Sequence, residues 1–177
     1  ANKFYDSGEF SSALDLLESS KVLFDSSDDK VKSQQMLLYG KIHTSMQDFS
    51  LAMEAFNISK DLGISSDQLG PELMRLENSI ITNAIADQES GNSLDAAIKL
   101  KMAYDLNPEV NQDYLYFAAG NAVNSINYSL ALEYYLLLRD INYDGVTTKF
   151  YITEVESGNE IEISSVDEFN LLQKSKD

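Results

Sequence analysis

The chain contains no cysteine and a single histidine, His43, in 177 residues. Without cysteine there can be no disulfide, no thiolate metal site and no cysteine nucleophile. One histidine leaves neither a nucleophile–base pair nor a zinc ligand set. Basic residues are also scarce, with 13 Lys and Arg against 29 Asp and Glu and a net charge of −16. Neutralising phosphates takes clustered cations, so this balance argues against nucleic acid and against an anionic membrane surface. A long apolar run is missing as well. The longest uncharged stretch, Tyr114 to Leu132, holds Gly120, Asn121, Asn124 and Asn127 and is split by a turn signal, so it does not read as a membrane span. No phosphate-binding glycine loop or spaced catalytic motif is present.

What the chain does have is a recurring pair, an aromatic residue followed three places later by alanine. It stands as Phe10/Ala13, Phe49/Ala52 and Tyr128/Ala131, with a degenerate copy at Ser93/Ala96. The alanines are 39, 44 and 35 residues apart, and each opens a stretch with apolar residues at helical spacing. Repetition on this scale means stacked helical hairpins, none of which can bury its apolar face alone.

The pattern predicts a helix end at residues 1–7, a break at Gly8 and a second helix carrying Phe10, Leu14 and Leu17. A loop rich in N-cap residues, Asp25 to Asp29, leads into a helix from about Asp29 to Met46. Its partner carries Phe49, Ala52, Ala55 and Phe56 and ends at Gly63. Residues 64–70 read as a loop, with Pro71 in the first turn of a long helix to about Ser90. Gly91-Asn92 turns the chain, Asp105 to Pro108 stops the next helix, and a fourth pair follows over about Val110–Ser125 and Tyr128–Asp140. Beyond Asn142 the period changes. Residues 147–153 are β-branched and aromatic, Gly158-Asn159 is a turn dipeptide, and Glu160 to Ile163 alternates, which predicts a β-hairpin. Ser165 with Glu168 is a capping-box signature for a last short helix. The domains are thus 1–142, helical repeats, and 143–177, hairpin plus capping helix.

These repeats resemble the tetratricopeptide repeat (TPR), a helix–turn–helix of about 34 residues. Leu38-Tyr39-Gly40 with Phe49, Ala52 and Phe56 fits its full spacing. Gly91, Ala96, Leu100, Ala103 and Pro108 fit its second half, and Gly120-Asn121-Ala122 with Tyr128 and Ala131 looks like its glycine and aromatic–alanine pair. The fourth copy has one residue too few between Gly120 and Tyr128. The resemblance implies an all-α fold, a TPR-like right-handed α-solenoid of about four helical hairpins, with the small β-hairpin and short helix appended. It also implies that Phe10, Ala13, Phe49, Ala52, Phe56, Ala96, Tyr128 and Ala131 are core. Its groove positions fall on Asn2 and Tyr5, then Gln34, Leu37, Lys41 and Thr44. They continue on Asn78, Ile81, Ile85 and Gln88, and on Tyr114, Phe117, Asn121 and Asn124. Amides alternating with aromatics suit an extended peptide. Some TPR domains clamp a terminal carboxylate with paired lysine and asparagine, and Lys41 as the only basic groove residue does not support that clamp.

Other features read more plainly. The aromatics Tyr114, Tyr116, Phe117, Tyr128, Tyr134 and Tyr135 suit an interface core or the packed end of a solenoid covered by the hairpin; the packed end is the reading adopted, and Tyr134 tests the interface if it faces outward. Glu154, Glu156, Glu160 and Glu162 would share one face around a three-residue loop, a geometry for calcium, but a solvated edge is the reading adopted. His43 reads as a buried or half-buried helix residue. The expected function is non-catalytic, a protein–protein interaction scaffold that binds a protein or peptide partner, as a peptide or a helix in the concave groove, with no cofactor and no metal. The alternative is a self-association module using the fourth repeat or the hairpin edge. Acidity, the missing cysteine, a start at Ala1 without methionine and the tail's likeness to some exported bacterial TPR proteins lean toward an exported, periplasmic or envelope-associated piece.

Overall fold

The computed structural model describes residues 1–20, 22–23, 26–146, 150–154 and 158–163. The described residues form eight helices and one two-stranded antiparallel sheet. The helices are α1 (Asn2–Asp6), α2 (Phe10–Ser19), α3 (Asp29–Met46), α4 (Phe49–Asp61), α5 (Ser66–Glu89), α6 (Ser93–Leu106), α7 (Gln112–Asn124) and α8 (Tyr128–Asp140), and the strands are β1 (Phe150–Thr153) and β2 (Glu160–Ile163). The chain divides into two compact units, Ala1–Tyr143 and Asp144–Asp177. Tyr143 belongs with the helices, because its hydroxyl donates to Asp113 Oδ1 at 2.5 Å.

Each helix packs on its neighbours in the chain, and the cores change hands accordingly. Ala13 and Leu17 of α2 meet Leu38 and Ile42 of α3. Leu37 of α3 joins Phe49, Ala52 and Phe56 of α4, Leu76 and Ile80 of α5 and Ala103 of α6. Ala84 of α5, with Ala97, Leu100 and Tyr104 of α6, meets the alanine face of α7 and then Ala131, Tyr134 and Leu138 of α8.

Two small features repeat at the intervals of the alanines. Gly8, Gln47, Gly91 and Ile126 each stand five places before one of Ala13, Ala52, Ala96 and Ala131, and all four have positive φ (80°, 65°, 83° and 62°). The left-handed residue turns the chain so that the two helices run back along each other. Twelve places before the alanines stand Ala1, Gly40, Ala84 and Ala119. The last three are buried like their partners, and Ala1 is half-buried. Small residues at both ends of that interval let the paired helices approach closely. At Gly40 the approach leaves no room for a side chain, since a Cβ there would overlap the Phe56 ring.

That interval corrects the reading of the fourth pair. Ala119, fully buried, takes the position assigned to Gly120, which meets nothing within 4 Å. Helix α5 begins at Ser66 rather than Pro71, because one missing amide donor does not stop a 24-residue helix whose apolar face is packed on both sides. Phe10 is half-buried. Tyr128 is 65% exposed, against the expectation of a core position. Its counterpart Phe49 is packed beside α6, and no helix of the described unit follows α8 to cover Tyr128 in the same way. Tyr134 goes the other way and is buried.

In the ribbon, Thr153 pairs with Glu160 and Tyr151 with Glu162. Residues 154–159 connect the strands, not three residues. Alternation then puts Glu160 and Glu162 on the face of Tyr151 and Thr153, while Glu154, bonded through its N–H to Asn159 O, lies on the other face. The four-carboxylate face therefore does not form. Glu156 and the expected helix after Ile163 lie outside the described residues.

Candidate functional site, a polar face across three helices

On α3, Gln34, Lys41 and Ser45 recur at helical spacing on one side, and on α5 so do Gln68, Glu72 and Arg75. These two sides meet each other and Tyr5 of α1. Gln34 Nε2 donates to Gln68 Oε1 at 3.2 Å, and Ser65 Oγ donates to the same oxygen at 3.1 Å. Lys41 Nζ lies 3.3 Å from Glu72 Oε1 and 4.9 Å from the centre of the Tyr5 ring. Arg75 Nη1 donates to Tyr5 Oη at 2.5 Å and Nη2 to Ser45 Oγ at 3.3 Å, with its guanidinium 6.0 Å from the same ring.

The charges on this face are unevenly matched. Lys41 is neutralised by Glu72, but no carboxylate of the described residues pairs with Arg75, which is held by two neutral hydroxyls. In a chain with more than twice as many acids as bases that is an unusual state for one of its two arginines. A guanidinium has five donors in a fixed fork, so most of its bonding capacity remains for a ligand.

The predicted groove residues divide by burial. Asn2, Gln34, Asn78, Ile85, Gln88, Phe117 and Asn124 are exposed, and Tyr5, Lys41 and Ile81 are half-buried. Leu37, Thr44 and Asn121 are buried and cannot reach a ligand directly. Leu37 is core, Thr44 Oγ1 donates to Gly40 O at 2.8 Å, and Asn121 Nδ2 donates to Phe117 O at 2.9 Å. Tyr114 is half-buried and packs against two core clusters, and burial followed by the nearby Glu77 and Asp113 raises its phenol pKa above the ordinary value. The one-residue offset of the fourth pair accounts for Asn121. Asp113, Tyr116 and Val123, one place earlier, are exposed alongside Phe117 and Asn124, and the Tyr116 ring meets Phe117 edge-on at 5.8 Å and Tyr143 at a tilt at 5.9 Å. Sequence reasoning missed Gln68, Glu72 and Arg75. Starting α5 at Pro71 hid Gln68, and reading the chain for an i, i+4, i+7 set would have found all three.

A surface pocket of about 310 Å³ lies between the first turn of α4 and α6. It is lined by Phe49, Leu51, Ile98 and Met102 with Asp48 and Lys99, and Lys99 is already paired with Asp87. His43 is buried beneath Tyr39, 4.5 Å between ring centres, with Nδ1 3.2 Å from Asp48 Oδ2. Among the described residues no three metal-ligating side chains converge, and no helix is long and apolar enough to cross a membrane. No family model, curated protein or solved structure matches this chain.

Proposed function

We propose that α1–α8 are a TPR-like right-handed solenoid of four hairpins and that its function is non-catalytic capture of an extended peptide. The repeated interval from a small residue to its alanine, with a left-handed residue between, supports the first part. The peptide lies along the face of α1, α3 and α5, with a carboxylate of the peptide on Arg75 and its backbone on the amides of Gln34, Gln68 and Asn78. The observation that carries the reading is Arg75, positioned by Tyr5 and Ser45 without an acidic partner among the described residues. A charge-assisted bond to such a donor contributes about 1.5–3 kcal/mol, enough to select acidic over neutral peptides at one position.

Selection from a random peptide library displayed on phage tests this. Wild-type protein should enrich sequences sharing one acidic position, and Arg75→Ala should bind a selected peptide about tenfold more weakly or worse. Arg75 is exposed, so the variant should keep its melting temperature. No enrichment, or binding indifferent to Arg75→Ala, would refute the reading.

A further inference from the structure

We infer that the outer face of α8 is a homodimer interface, in which α8 packs antiparallel on α8 of a second copy. The face consists of Tyr128, Leu132, Tyr135, Leu136 and Arg139, which recur at i, i+4, i+7, i+8 and i+11 and so form one stripe. The four apolar side chains are 65%, 60%, 42% and 39% exposed. Their counterparts in the earlier pairs are covered by a helix. Phe49 and Phe56 of α4 share a buried cluster with Leu76 and Ile80 of α5 and Ala103 of α6, and Ala97, Leu100 and Tyr104 of α6 share one with the alanine face of α7. The stripe is therefore built like a surface that receives a helix, and no helix of the unit Ala1–Tyr143 lies on it.

The stripe itself points to its occupant. A two-fold axis near its middle places Leu132 against Tyr135 and Leu136 of the second copy. The same axis brings Tyr128 opposite Arg139 of that copy, a ring against a guanidinium. The stripe is complementary to its own reverse. It contains no carboxylate, since Glu133 and Asp140 fall on the flank of α8. Arg139 has only the adjacent Asp140 as a partner, through its Nε and Nη2. Net charge opposes the pairing of two copies at long range, but salt screens that repulsion over about 10 Å and leaves the apolar contact intact. Four side chains a side make a small interface, so the dimer should be weak, with a dissociation constant on the order of 10 μM.

Sedimentation equilibrium of the full chain over a range of concentrations tests this. A monomer–dimer equilibrium that tightens on adding salt is expected, and Leu132→Glu should weaken it by more than about tenfold. Leu132 is exposed, so an unchanged far-ultraviolet circular dichroism spectrum is expected for that variant, and Tyr135→Ala provides a second substitution of the same face. The native chain lacks cysteine, so single cysteines report position cleanly. Leu132→Cys should cross-link between copies with a short bis-maleimide, and Met74→Cys, exposed on α5, should not. A chain that stays monomeric at every concentration would overturn the inference. So would a dimer that survives Leu132→Glu or that cross-links through position 74. The inference does not depend on the peptide groove, and Leu132→Glu should bind a selected peptide as wild type does.

Discussion

Gly40 and Gly120 are both mid-helix glycines in this chain, and their environments assign them opposite roles. At Gly40 a methyl group would enter the ring of Phe56, which is 1% exposed and has no room to withdraw. Gly40→Ala should therefore lower stability by about 1–3 kcal/mol, the range for overpacking a filled core. At Gly120 nothing lies within 4 Å, and only the backbone preference remains. Gly120→Ala should raise stability by up to about 1 kcal/mol. Urea unfolding of the two variants reads both signs in one experiment. Equal effects would mean that the fourth pair is packed in the register first assigned from Gly120, rather than through Ala119. The recurring alanines were legible in the sequence, and so was the one-residue shortfall between Gly120 and Tyr128, but Ala118, Ala119 and Gly120 are all small enough to serve and only packing picks Ala119.

Among elements, the connections matter more than the helices they join. Three of the four αL positions hold residues that suit them or carry a long unbranched side chain, Gly8, Gly91 and Gln47. The fourth holds Ile126 at φ 62°, a β-branched residue in a conformation where its Cβ crowds the backbone carbonyl. Its side chain is 72% exposed and so recovers little by packing. Ile126→Gly should stabilise the protein by about 1 kcal/mol, measurable as a rise in melting temperature, although glycine costs entropy in most other places. A fall would show that the exposed side chain has a contact that outweighs the strain. Helix α3 was read from sequence to its observed ends, because Asp28 caps it by accepting from the Val31 N–H at 2.9 Å. The start of α5 was misplaced because Pro71 resembles a first-turn residue and its tolerance inside the helix depends on packing from α4 and α6.

On the scale of the whole molecule, the charge of −16 is spread over a chain whose described ion pairs are few. Self-repulsion then opposes compaction, and screening should relieve it. Raising sodium chloride from 20 to 200 mM, about a threefold shortening of the Debye length, should raise the melting temperature. The same change should weaken peptide capture at Arg75 and strengthen the α8 dimer, so three responses to one variable separate fold, groove and interface. A melting temperature indifferent to salt would mean that the acidic residues are too dispersed to repel.

Spacing alone determined that this chain is helical hairpins followed by a ribbon, because period and turn residues are local properties and every repeat states them again. The same spacing located Gly40 and the recurring alanines, but assigned Gly120 where the fourth pair uses Ala119. Tertiary structure decided what could not be repeated. It brought Tyr5, Lys41, Ser45, Glu72 and Arg75 together from three helices, and it left Arg75 unpaired by giving Glu72 to Lys41. It also buried Tyr134 and exposed Tyr128 and Tyr135 on one helix, since α7 covers only one side of α8. Helical period sorts residues into faces, but which face is covered depends on neighbours tens of residues away in the chain.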